Sequence, residues 1–188
     1  SGSAVSGEVQ VWCCLSGGCV GKEVDASAWR LCGSGVFAHR RVSRVVLDSP
    51  VELGGGDVVG VLVQKLSGGL YLTACDEVVE DACLRVTPHW CSGERVAFAG
   101  HNENGRVCLA GSVEYEEVFS GSAASCTSTS SIPPSLPAAA PAVAPVVALH
   151  TLATHTTPDA SRFSNCGVFF DVCAKQQHKR NSSLRITA

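Results

Sequence analysis

The chain carries short runs of Val, Leu and aromatic residues broken every few positions by Gly, Ser or Asn, and no run keeps a helical period for three turns. That pattern limits the chain to an all-β architecture. The strands expected in the first two thirds are EVQVWCCL, WRLCGSGVF, RVVLDSP, DVVGVLVQKL, GLYLTACD, ACLRVTP, ERVAFAG and RVCLAGSVEYEEV. Their lengths are ordinary for strands. Turn signals lie between them: KLSGG at 65–69 and HNENG at 101–105, where Asn-Gly supplies the positive φ of a tight turn. Many short strands joined this way build sandwiches or barrels.

A low-complexity stretch interrupts the second half. Between Val118 and Pro158 there is no charged residue, and five of the eight prolines fall in IPPSLPAAAPAVAP. We expect an insertion over 119–147 with polyproline character, because it cannot bury enough side chain to offset its ordering entropy. Strands resume at APVVALHTLATH, SNCGVFFDVC and SSLRITA.

Composition removes several function classes. With 188 residues, 45% hydrophobic content, 16% charged content and a formal net charge of −3, the chain suits a folded protein and not a basic nucleic-acid binder. No apolar run approaches the roughly 20 residues that cross a bilayer. The eleven cysteines are odd in number and lie mostly inside apolar runs, so complete internal pairing is impossible. We expect inward-facing free thiols and a soluble protein of a reducing intracellular compartment. No CxxC occurs, and a zinc site from Cys13, Cys14, Cys19 and Cys32 would need irregular spacing, so neither metal nor cofactor is expected.

Five segments, in order, resemble the trypsin-like fold, in particular the HtrA/Deg branch of the chymotrypsin-like proteases. GSGVF at 33–37 is similar to the strand that precedes the catalytic histidine. AHRRVSRVVLDSPVELGGGDVVGVLV follows it as that family's histidine region does. GLYLTACDEVVEDACLRV resembles the stretch bearing the catalytic aspartate, GERVAFAGHNENGRVCLAGSV the strand pair after it, and TPDASRFSNCGVFFDV the nucleophile segment. The resemblance implies two antiparallel β-barrels, over residues 5–90 and 91–188, the second interrupted by the Pro/Ala/Ser insertion.

Acyl transfer on such a fold needs a nucleophile, an imidazole base, an orienting carboxylate and an oxyanion hole. By resemblance the nucleophile position is Cys166, and Ser164, Asn165 and Gly167 surround the expected oxyanion turn. Ser164 and Val168 stand where the family has glycines. The acid position falls on Glu80 or Asp81. The base position falls on Ser49, or on Pro50 after one slip, and neither accepts a proton at neutral pH. His39, about ten residues earlier, is the alternative base. Without an imidazole beside it, Cys166 would keep a pKa of about 8.5 and be only a few per cent thiolate at pH 7.

The resemblance therefore implies a pseudoprotease that binds protein partners as a structural or regulatory subunit, one of them covering the open edge of the second barrel. Two alternatives compete with it. One is an active cysteine endopeptidase using Cys166. The other is an oligonucleotide-binding barrel, suggested by the strand rhythm of 57–118 and weakened by its few basic and aromatic residues. Smaller features read as surface: a basic turn at Arg40, Arg41 and Arg44, a basic tail turn at 175–180, and Glu114, Glu116 and Glu117 on the outer face of a strand.

Overall fold

A computed structural model of the chain describes residues 7–37, 43–67, 72–74, 77–92, 97–99, 101–109, 112–119, 146–153, 167–176 and 182–186. Twelve strands are present among these residues: β1 Gly7–Cys14, β2 Arg30–Phe37, β3 Val51–Leu53, β4 Val58–Lys65, β5 Leu72–Ala74, β6 Val79–Glu80, β7 Leu84–Ser92, β8 His101–Leu109, β9 Ser112–Phe119, β10 Val146–Ala153, β11 Gly167–Ala174 and β12 Ser182–Ile186. One 3₁₀ turn, Ala26–Ala28, is the only helical element described. The all-β expectation holds. No helix among the described residues is long and apolar enough to cross a membrane.

The strands form two antiparallel sheets. The larger runs β2-β1-β4-β11-β7-β8-β5, with β6 also on β7, and the smaller runs β10-β9-β12-β3. The path is open, from β2 at one edge to β5 at the other. β11 lies between β4 and β7, pairing Phe170 with Val61 on one side and with Pro88 on the other. Strands from both halves of the chain thus share one sheet, and the expected division at 90/91 falls inside β7.

Side chains alternate across the central strands, and both faces are covered. One face carries Val9, Val11 and Cys13 of β1, Val59, Val61 and Val63 of β4, and Val168, Phe170 and Val172 of β11. These pack with Val51 and Leu53 of β3 and Val113 and Tyr115 of β9, so the small sheet closes that face as in a sandwich. The other face carries Cys14, Leu62 and Phe169, which pack with Cys19 and Trp29 of the β1–β2 connection. Burial on both sides explains why VVGVLV and GVFFDV read as continuous apolar runs.

Several local expectations shift. RVVLDSP was expected as a strand, but 43–50 lies outside the ladders and bends at 48–49, and the strand comes just after it, at Val51–Leu53. That segment lies along β2, where the Asp48 amide donates to the Cys32 carbonyl at 2.7 Å. HNENG does not turn: it begins β8. Cys91 pairs with Asn102 while His89 pairs with Val107, so the flexible Asn-Gly stretch is absorbed as an irregularity of the ladder. Residues 97–99, expected within a strand, form a turn with Phe98 at a φ of 66°. The Pro/Ala/Ser insertion lies outside the described residues up to 145, and β10 begins at Val146.

Candidate functional site

The connection from β1 to β2 folds back over the sheet, and close backbone contacts explain how it can. The Gly60 amide on β4 donates to the Gly17 carbonyl at 2.9 Å. A Cβ on Gly60 would lie 2.7 Å from Cys19 N, and one on Gly18 would lie 2.6 Å from Asp171 Oδ2, so both positions require glycine for lack of space. Gly17, at a φ of +116°, supplies the left-handed backbone that turns the chain inward. Trp29 Nε1 then donates to the Lys22 carbonyl at 2.8 Å, and Trp90 Nε1 donates to Glu23 Oε1 at 2.9 Å. Glu23 is buried.

This folding carries Cys19 onto two groups from distant strands. The Cys19 amide donates to Asp171 Oδ1 at 2.8 Å, and His89 Nε2 meets Asp171 Oδ2 at 2.9 Å. His89 reaches this place through a bulge. Phe170 pairs with Pro88 and Val168 with Cys91, which leaves His89 and Trp90 opposite Phe169 alone. Bulges re-aim side chains, and Pro88, without an N–H, is tolerated there. Asp171 shares the Phe169 face of β11, so it points under the loop and away from the sandwich core.

The site is closed to solvent at the thiol. Cys19 is 0% exposed and His89 is 8% exposed. Burial pushes the Cys19 thiol far up, and the neighbouring carboxylates of Asp171 and Glu23 push the same way. Burial also pushes the Asp171 carboxyl up, but hydrogen bonds from His89, the Cys19 amide and the Cys19 thiol outweigh it and hold the group below its ordinary value. A nucleophilic cysteine needs the opposite arrangement, an imidazole taking its proton and a path for substrate. Here the hydrogen bonds favour the ionised Asp171 carboxylate, and burial favours the protonated Cys19 thiol. The donor atoms of this thiol, imidazole and carboxylate lie within 4.8 Å of one another, a grouping that could hold a metal ion.

Of the residues singled out by sequence, Asp81, Glu80, Ser49 and Gly167 lie among the described residues. Asp81 holds the β6–β7 turn: Oδ1 accepts from the amides of Cys83 and Leu84, both at 2.8 Å, and Oδ2 accepts from the Tyr115 hydroxyl at 2.8 Å. Glu80 is ion-paired with Arg85 at 2.7 Å and Lys175 at 3.3 Å, which hold its carboxyl below the usual range. Ser49 lies on an exposed bend. Gly167 opens β11, opposite Gln64 and Ser92, and a Cβ there would lie 2.8 Å from Gln64 Oε1. Cys166, Ser164, Asn165 and His39 lie outside the described residues.

Two surface readings also change. Glu117 is not an outer-face decoration. It shares the parity of buried Val113 and Tyr115 on β9, and its Oε1 accepts from Cys83 Sγ at 2.6 Å. Arg44 is paired with Glu114 at 2.8 Å. Cys13, Cys14, Cys19, Cys32, Cys83, Cys91 and Cys173 are free thiols, as inward-facing cysteines should be. No protein-family model matches this chain, and no curated protein or solved structure matches it either.

Proposed function

We propose that this chain is a non-catalytic β protein of trypsin-like ancestry, a pseudoprotease that acts by binding protein partners as a structural or regulatory subunit. The observation that carries the reading is the employment of Asp81. A carboxylate that orients a catalytic imidazole must offer it an oxygen. Asp81 accepts at Oδ1 from two backbone amides and at Oδ2 from the buried Tyr115 hydroxyl, bonds that fix the β6–β7 turn and support a structural role for this carboxylate. Glu80 is turned to Arg85 and Lys175. Ser49 brings no base to the position where the family has one.

The finer architecture of this reading, two barrels over 5–90 and 91–188, rests on the order of the five resembling segments. The β4–β11 ladder runs against full separation of the halves. Partner binding is the use left to such a scaffold. Among the described pairings β2, β3, β5, β6 and β10 are hydrogen-bonded to a strand on one side only, and such edges accept a strand from another chain.

The experiment is labelling of the folded chain with an electrophilic thiol probe across pH 5 to 9, with Cys166 followed by mass spectrometry beside the other cysteines. The expected result is labelling of Cys166 at alkaline pH only, together with no cleavage of a peptide library. Selective labelling of Cys166 that persists below pH 7, with cleavage lost in Cys166→Ala, would replace this reading with an active cysteine endopeptidase.

A further inference from the structure

Cys19, His89 and Asp171 come from three separate pieces of chain: the β1–β2 loop, the bulge of β7 and the middle of β11. Nothing in their sequence spacing joins them. Their donor atoms nevertheless converge to within 4.8 Å of one another, beneath a loop that is held down at Gly60. We propose that these three side chains form a binding site for a zinc-class divalent cation, which fastens the 15–29 loop to β7 and β11. The inference stands apart from the pseudoprotease reading, since none of the three residues belongs to the positions on which that reading rests.

The donor chemistry selects the ion. One thiolate, one imidazole nitrogen and one carboxylate oxygen make a borderline-soft set, suited to Zn²⁺ or Co²⁺ and unsuited to Ca²⁺ or Mg²⁺, which take oxygen ligands. Binding displaces the Cys19 proton, and the thiolate and the Asp171 carboxylate then balance the two positive charges of the ion. Three protein ligands leave a fourth position for solvent. The Asp171 side chain, 16% exposed, marks where solvent reaches the cluster.

The geometry needs little change. His89 Nε2 and Asp171 Oδ2 stand 2.9 Å apart. Two ligands of a tetrahedral zinc, at bonds of about 2.0 Å, stand about 3.3 Å apart, so the pair has to open by only a few tenths of an ångström. Ligation through Nε2 places the ring proton on Nδ1, which is buried with no hydrogen-bond partner among the described residues, so the ion takes the place of the His89–Asp171 bond and uses the Nε2 lone pair. Apolar side chains line one side of the thiol, since Cys14, Leu62, Phe169 and Trp29 pack with Cys19, and the buried Glu23 carboxylate lies nearby. Water is therefore kept from competing for all but one position.

The test is titration of the full chain, stripped of metal, with Co²⁺. The expected result is one equivalent bound with a thiolate-to-cobalt charge-transfer band and tetrahedral visible bands, displaced by Zn²⁺. Cys19→Ser should abolish the charge-transfer band and lower affinity by roughly 100-fold or more, whereas Cys91→Ser should leave both unchanged. No band in the folded wild-type chain, or a band that survives Cys19→Ser, overturns the proposal. X-ray absorption at the zinc edge of the wild-type protein decides the matter where Cys19→Ser fails to fold. One sulfur with two or three nitrogen or oxygen neighbours is expected, and a sulfur-rich shell refutes the assignment.

Discussion

Gly60→Ala should separate the loop from the sheet. The methyl carbon would sit 2.7 Å from Cys19 N, 3.0 Å from Cys19 Cα and 3.0 Å from the Gly18 carbonyl carbon. All three are backbone atoms, so no side chain can swing aside. Ordinary contact begins at 3.4 Å, and the loop must therefore retreat by about 0.7 Å. That motion stretches the amide bond from Cys19 to Asp171 and the one from Gly60 to Gly17, at 2.8 and 2.9 Å. Overpacking of this kind costs about 1–3 kcal/mol. A value of about 2 kcal/mol is a sizeable share of a typical total stability of about 5–15 kcal/mol. Urea unfolding should show it as a midpoint lowered by about 1 M with an unchanged slope near 2 kcal/mol/M. Gly55→Ala is the control, because the nearest atom to its added carbon is Lys175 O at 3.5 Å. If the two variants unfold within about 0.5 kcal/mol of each other, the loop is not seated on β4 as described.

Two further predictions concern the opposite face. Tyr115→Phe removes a donor to an ionised carboxylate from a residue 1% exposed and should destabilise the chain by about 1.5–3 kcal/mol in the same assay; a loss below about 0.5 kcal/mol would mean that Asp81 does not depend on it. The Cys83 thiol is pushed from 9.0 up to about 11, first by burial and then by Glu117. A raised folded value means that the unfolded chain releases the proton first, so this contribution is complete below pH 9 and is lost as pH rises from 9 through about 11. Cys83→Ala should flatten that part of the stability profile, and an identical alkaline slope in the variant would exclude the assignment.

The strands were legible because period-two alternation and β-branched residues act locally, and β1, β2, β4, β7 and β11 appear close to where the pattern predicts them. Neighbour relations were not. Whether β11 pairs with β4, with β7 or with both is decided by long-range packing on which VFFDV is silent. The Cys19–Asp171 contact joins residues 152 positions apart, and the bulge that turns His89 inward leaves only a weak mark, Pro88 inside a strand. Asp81 had a local signal that points away from catalysis: an aspartate two and three residues before the amides it caps is an Asx-type turn. Glu117 departs from the expected outer face because alternation sends Glu114 and Glu116 to one side of the strand and Glu117 to the other.

The place of β11 in the large sheet bears on how the chain acquires its structure. β4 and β7 are separated by β11, which stands more than seventy residues later in the chain. Until β11 is available, the edge of β4 and the edge of β7 that it joins keep unpaired backbone groups. Insertion of the late strand is then a non-local closure of high entropic cost, so folding should be slow and its waiting state prone to self-association. The step that joins the two halves of this protein is thus also the step at which a chaperone has the most to hold.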